Sequence, residues 1–74
     1  MSLNDRALDI VARIAGVEKA KLEPETELVG HLGFDSAKAL ELLVELEDEL
    51  EIEFGDDDVA KMNTVGDILA FVNQ

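Results

Sequence analysis

Seventy-four residues and 8.1 kDa, 47% of them apolar, leave room for a single domain spanning 1 to 74 and none for a second unit or a large catalytic cleft. Without cysteine there are no disulfide staples, thiolate metal sites or thiol nucleophiles, and no apolar run approaches the ~18 residues of a membrane span. With no secretion signal in Met1 to Arg6 either, the expectation is a cytoplasmic protein that does not insert into membranes. The formal charge of −12, from 18 acids against 6 bases, repels nucleic acid and anionic lipid and attracts basic partner surfaces.

Apolar residues recur at three and four positions rather than two, which predicts helices, no strands and an all-α fold. Leu3, Ala7, Ile10, Val11 and Ile14 make one stripe. Ser2 or Asn4 can cap its start and Gly16 can close it in a left-handed turn, so the first helix is predicted over roughly 3 to 15. From Val17 to Phe34 the pattern is broken by Pro24, Gly30 and Gly33. Val17, Leu22, Leu28, Val29 and Leu32 are nevertheless too apolar for a free linker, so this stretch is expected to pack on the core.

The second helix starts at Asp35 or Ser36 and runs to Leu50 or Glu51, with Gly55 closing the segment after Ile52 and Phe54. At about 100° per residue, Ala39, Leu42, Leu43, Leu46 and Leu50 fall on one core-facing arc. Ala37, Leu40 and Val44 form a second, narrower apolar strip about 140° round the helix, flanked by Glu41 and Asp48 on one side and Glu47 on the other. Residues 35 to 58 also hold eleven acids and one base, nearly all of the net charge. Such a strip suits docking onto a basic, partly apolar groove. The bland readings stand beside it: a solvated acidic face that aids solubility, and a strip covered by the long loop or the third helix.

Asp56, Asp57 and Asp58 open a short helix through Val59, Ala60 and Met62, in the turn where the helix dipole favours acids. A calcium loop would need alternating oxygen ligands, a central glycine and a distal glutamate, which do not follow. Thr64 and Asp67 have the spacing of a capping box, and Val65, Ile68, Leu69 and Val72 give a last helix over about 65 to 73. The predicted architecture is a small four-helix bundle, three main helices plus one short one.

No catalytic constellation is visible. His31 stands alone, with neither the second ligand of a zinc site nor a nucleophile partner, and reads as an exposed loop residue. Ser36 reads either as a helix cap beside Asp35 or as an attachment point, because a phosphate ester there would lie near the unpaired N–H groups of the first turn.

At Leu32-Gly33-Phe34-Asp35-Ser36 the chain resembles the acyl carrier protein family, whose mark is an Asp-Ser pair opening the second helix. The resemblance extends through Gly16-Val17, the run from Leu42 to Ile52, and Thr64-Val65. It implies that Ser36 carries phosphopantetheine, donated from coenzyme A by a phosphopantetheinyl transferase, and that the arm's thiol holds acyl groups as thioesters. The protein would then be a carrier and not an enzyme. It would be a monomer without a metal, visited by acyl-handling enzymes of fatty acid, lipid or polyketide biosynthesis through their basic docking surfaces. The implied partner contacts are Asp35, Ala37, Leu40, Glu41, Val44, Glu47 and Asp48.

Two positions depart from the family pattern: Ala37 stands where a large leucine is usual, and Lys38 where an acid is frequent. Loss of a buried leucine contact is worth up to roughly 1.5–3 kcal/mol, so a specialised carrier with its own partners is expected. Phe54, Leu46, Val59 and Met62 are expected to line the space between the second and third helices where a cargo chain would shelter. The competing class is an unmodified acidic helical domain that binds a basic protein; a calcium-responsive protein ranks last.

Overall fold

A computed structural model describes residues 2 to 73; Met1 and Gln74, the ends of the predicted domain, lie outside the described residues. Four α-helices follow in order: α1 (Leu3–Ala15), α2 (Ser36–Leu50), α3 (Asp56–Ala60) and α4 (Val65–Val72), with a 3-10 turn at Lys19–Lys21. The body measures 28 × 25 × 18 Å. Among the described residues there is no strand, only an isolated bridge between Glu27 and Thr64.

Each main helix starts on a side-chain cap. The Ser2 hydroxyl accepts from Asp5 N–H at 3.1 Å, and Asp35 Oδ1 accepts from Lys38 N–H at 2.8 Å. At α4 the Thr64 hydroxyl accepts from Asp67 N–H at 3.2 Å while Asp67 Oδ2 accepts from Thr64 N–H at 3.1 Å, a reciprocal box. Gly16 ends α1 in the left-handed conformation, φ 74°. The end of α2 differs from expectation: Glu51, not Gly55, takes the left-handed position (φ 55°), and Gly55 instead precedes α3. A non-glycine residue there costs roughly 1–2 kcal/mol. The turn is held by the C=O of Glu47, which accepts from Ile52 N–H, and by its carboxylate, which accepts from Phe54 N–H at 2.9 Å.

The core forms where the predicted stripes meet. Ala7, Ile10, Val11 and Ile14 of α1 and Leu42, Leu46 and Leu50 of α2 are buried with Val65, Ile68 and Val72 of α4. Burial of each large aliphatic side chain contributes about 1.5–3 kcal/mol.

The stretch between α1 and α2 packs as expected in part. Leu28 and Phe34 are buried and Leu22 and Leu32 lie against the core, whereas Val29 is 72% exposed. Val29 sits in a local turn in which His31, Leu32 and Gly33 N–H groups bond back to Glu27 and Val29 carbonyls, and that geometry turns its side chain outward. The stretch is stitched to the start of α4: Leu28 N–H to Asn63 C=O (3.0 Å), Val65 N–H to Thr26 C=O (2.9 Å) and Gly66 N–H to Pro24 C=O (2.9 Å). This pairing satisfies loop backbone groups that burial would otherwise leave costly. It also holds Phe34, two residues before Ser36, in the core.

Gly66 tests the stitching. A Cβ there would stand 2.8 Å from the Pro24 carbonyl oxygen, so the close approach needs glycine. Gly66→Ala is expected to lower stability by about 1–3 kcal/mol in urea unfolding, although the same change in an unobstructed helix stabilises by about 1 kcal/mol.

The second test is titration. The Asp67 carboxyl is held below its ordinary value of 3.8, first by the N–H of Asn63 and then by that of Thr64, against a smaller opposing effect of burial. A lowered folded value means the stabilisation is complete above the unfolded value and lost as pH falls through the folded one. The stability difference between wild type and Asp67→Asn should therefore be full near pH ~6 and shrink by pH ~3 in unfolding followed by circular dichroism.

Candidate functional site

Ser36 is the first residue of α2 and is exposed, between the buried Phe34 and a helix whose inner face is locked into the core. Asp35, also exposed, is the cap of the helix in place of Ser36: its carboxylate accepts from Lys38 N–H, which leaves the serine hydroxyl out of the capping role. The first turn of α2 carries no acidic residue of its own, and the anion at its positive end is the capping carboxylate of Asp35.

The second strip is uncovered. Ala37 is exposed, Leu40 is 63% exposed and Val44 56%, large values for aliphatic residues in so small a body. Neither the long loop nor α3 lies over it. Glu41 and Asp48 are exposed beside the strip, and among the described residues neither meets a cation within 4 Å. Glu47 is half-buried, with its carboxylate bound to Phe54 N–H.

The far edge of α2 is different. Arg13 Nη2 stands 2.8 Å from Glu45 Oε2 and 3.8 Å from Glu49 Oε2, and Arg6 donates to the Glu49 carbonyl at 2.6 Å. Lys38 lies on the same edge, away from the strip: Nζ reaches across to the Ile14 carbonyl at 2.9 Å, at the negative end of α1. Sequence reasoning missed these ties. A signal existed, since Arg6 and Arg13 repeat at seven on one helix and Glu45 and Glu49 at four on the other, spacings that keep each pair on one face.

Two further predicted positions resolve simply. His31 is exposed, and its Nδ1 accepts from Glu27 N–H at 2.7 Å. Asp58 of the acidic triplet accepts from Gly55 N–H at 3.0 Å, a helix-start role. Among the described residues no group of three or more His, Asp or Glu side chains is placed to hold a metal ion.

Beneath α2 lies a small, apolar cavity of about 40 Å³, lined by Ala39, Leu42 and Leu43 of α2, Val59 and Met62 around α3, and Ile68 of α4. Val59 and Met62 are where the sequence put them, but Leu46 and Phe54 do not line the space. Leu46 is fully buried at the core centre, and Phe54 turns to stack on Phe71, ring centroids 4.5 Å apart.

Residues 5–72 match the family model described as the phosphopantetheine attachment site. In structure the chain is similar to a protein from Mycobacterium tuberculosis that is taken to be an acyl carrier protein. The two are 32% identical, the match covers 97% of this chain and 96% of that one, and the TM-score is 0.89.

The Lys38 tie is measurable. Lys38→Met keeps the length of the side chain and removes the ammonium donor, so stability should drop by about 0.5–1.5 kcal/mol in urea melts. An unchanged midpoint would show that the tie does not contribute to stability.

Proposed function

This chain belongs to the phosphopantetheine-attachment family of acyl carrier proteins, and from that premise we propose that Ser36 Oγ is the atom through which the prosthetic group is attached. A carrier of this kind is not itself an enzyme; phosphopantetheine is bound covalently and supplies a thiol on which acyl groups are held as thioesters.

The exposure of Ser36 at the start of a 15-residue helix carries the reading. Its hydroxyl is open to a transferase, and the local surroundings fit a phosphodiester: a helix start leaves N–H groups without acceptors, and its dipole favours an anion. Buried Phe34 and the Asp35–Lys38 cap fix the backbone on both sides of the serine. In loading, Ser36 Oγ gains the bond to phosphorus, its proton passes to the transferase or solvent, and the adenosine bisphosphate half of coenzyme A leaves.

Acyl-handling enzymes are read as docking on the strip of Ala37, Leu40 and Val44, with Asp35, Glu41, Glu47 and Asp48 meeting their basic residues. Exposed charges of this kind speed encounter more than they tighten the complex, and salt weakens them. Ala37 presents a shallower surface beside Ser36 than leucine would, in keeping with a carrier specialised for its own cytoplasmic set of fatty acid, lipid or polyketide enzymes. The acyl chain is read as entering the space beneath α2. The small cavity must widen to admit it, and α3, which buries none of its residues, is the element with least to lose by moving.

Incubation with coenzyme A and a phosphopantetheinyl transferase, read by intact mass, should add one phosphopantetheinyl group to wild type and none to Ser36→Ala. A wild-type chain left bare by transferases that load other carriers would make this an unmodified acidic interaction domain instead.

A further inference from the structure

We infer that the open groove between the end of α1 and the turn before Ser36 is a resting site for the carrier's own prosthetic arm, filled by its pantetheine portion while no acyl group is attached. The inference rests on the reading of Ser36 as the attachment residue. The groove measures about 500 Å³, with half-buried Val17 and Leu32 as its apolar wall and Lys21, Thr26 and His31 as polar lining. It shares no lining residue with the cavity beneath α2, and no residue of the Ala37–Leu40–Val44 strip lines it.

The groove lies at the Ser36 end of the molecule. Lys38 Nζ meets the Ile14 carbonyl at 2.9 Å, so the last turn of α1 stands beside the first turn of α2, and Val17 directly follows the Gly16 that closes α1. Leu32 precedes Ser36 by four residues, which places their Cα atoms no more than about 14 Å apart. From Ser36 Oγ to its sulfur the arm runs through about 14 bonds, roughly 17 Å when extended. The tether is long enough to lie along the groove.

The groups of the groove match those of the arm. Pantetheine alternates methylenes and a dimethyl-bearing carbon with a hydroxyl and two amides, so it needs an apolar wall, donors for its carbonyls and acceptors for its N–H groups. Val17 and Leu32 supply the wall. His31 Nδ1 accepts from Glu27 N–H at 2.7 Å, which puts the proton of the neutral ring on Nε2, a donor. Thr26 Oγ accepts from Glu23 N–H at 3.0 Å and keeps its own hydrogen to donate. Lys21 meets no carboxylate within 4 Å among the described residues, and Glu23 and Glu25, which also line the groove, offer acceptors. The cavity beneath α2 does not suit the arm: it is about 40 Å³ and lined by apolar residues, so an amide buried there would have no partner. Arm and cargo are thereby sorted, the polar arm to the groove and an acyl chain to the cavity.

Tethering relaxes the affinity required. A short flexible link presents the arm at an effective concentration on the order of millimolar, so a Kd on the order of 1 mM for free pantetheine already keeps the tethered arm in place about half of the time. A hold that weak suits a group that each client enzyme must draw out.

Two NMR measurements test the groove. In the first, isotope-labelled wild type is loaded from coenzyme A by a phosphopantetheinyl transferase. Signals of Val17, Lys21, Thr26 and His31 should shift together with those next to Ser36, and the geminal methyls of the arm should give nuclear Overhauser contacts to the Val17 methyls. Val17→Ser and the exposed Lys21→Gln, each checked for folding by circular dichroism, should still load and should lose most of the groove shifts. In the second, free pantetheine is titrated into unloaded Ser36→Ala, where the same residues should respond saturably with a Kd on the order of 1 mM. Adding Val17→Ser should weaken that binding about three-fold or more. Shifts confined to the neighbours of Ser36 in the loaded chain, or no saturable response of the groove to pantetheine, overturn the inference. Wild type that never loads while pantetheine fills the groove removes the attachment reading and leaves the groove standing as a pantetheine site.

Discussion

The packing of α1 against α2 is the contact on which the rest depends. Ala7, Ile10, Val11 and Ile14 meet Leu42, Leu46 and Leu50, and the burial removes one side of α2 from water. The polar ties at the rim repeat the same pairing: Arg6 to Glu49, Arg13 to Glu45, and Lys38 to the last turn of α1. Exposed pairs of this kind add little stability each. Their larger effect is on charge distribution, because the cations of α1 cancel one edge of an acidic helix and leave the other bare.

That division explains how a strongly acidic chain can be compact and still sticky. Self-repulsion among carboxylates opposes folding, and the chain meets it by giving many of them local work. Asp35, Asp58 and Asp67 serve helix starts and Glu47 a helix end. Glu41 and Asp48 have no such work, and they border the aliphatic strip that nothing covers. An uncovered apolar strip is a liability unless a partner takes it, and flanking charge keeps it from gathering like copies in the meantime.

Much of this was legible in residue order. The helical spacing of Leu42, Leu46 and Leu50 marks a buried face because one period governs both sequence and packing. Thr64 and Asp67 announce α4 because a capping box is a contact between near neighbours. The proposed attachment at Ser36 rests chiefly on resemblance, since a serine in the first turn of a helix is by itself ordinary and the cap here is Asp35. What stayed hidden was non-local. The acceptor for Lys38 is a backbone carbonyl, which carries no residue signature, and Phe54 stacks on a ring 17 positions away that no periodicity connects to it. Glu51 occupies a glycine-like conformation because tertiary contacts of Glu47 hold the turn, a case where context overrides propensity.

The dimensions of the molecule carry one more consequence. At about 1.5 Å per residue, 15-residue α2 is about 22 Å long, nearly the full width of a 28 × 25 × 18 Å body. On the proposed docking along α2, one seated enzyme would span most of that helix, so two clients would compete for the carrier. Successive reaction steps would then proceed by release and recapture, with throughput governed by how briefly each client stays rather than by how firmly it grips.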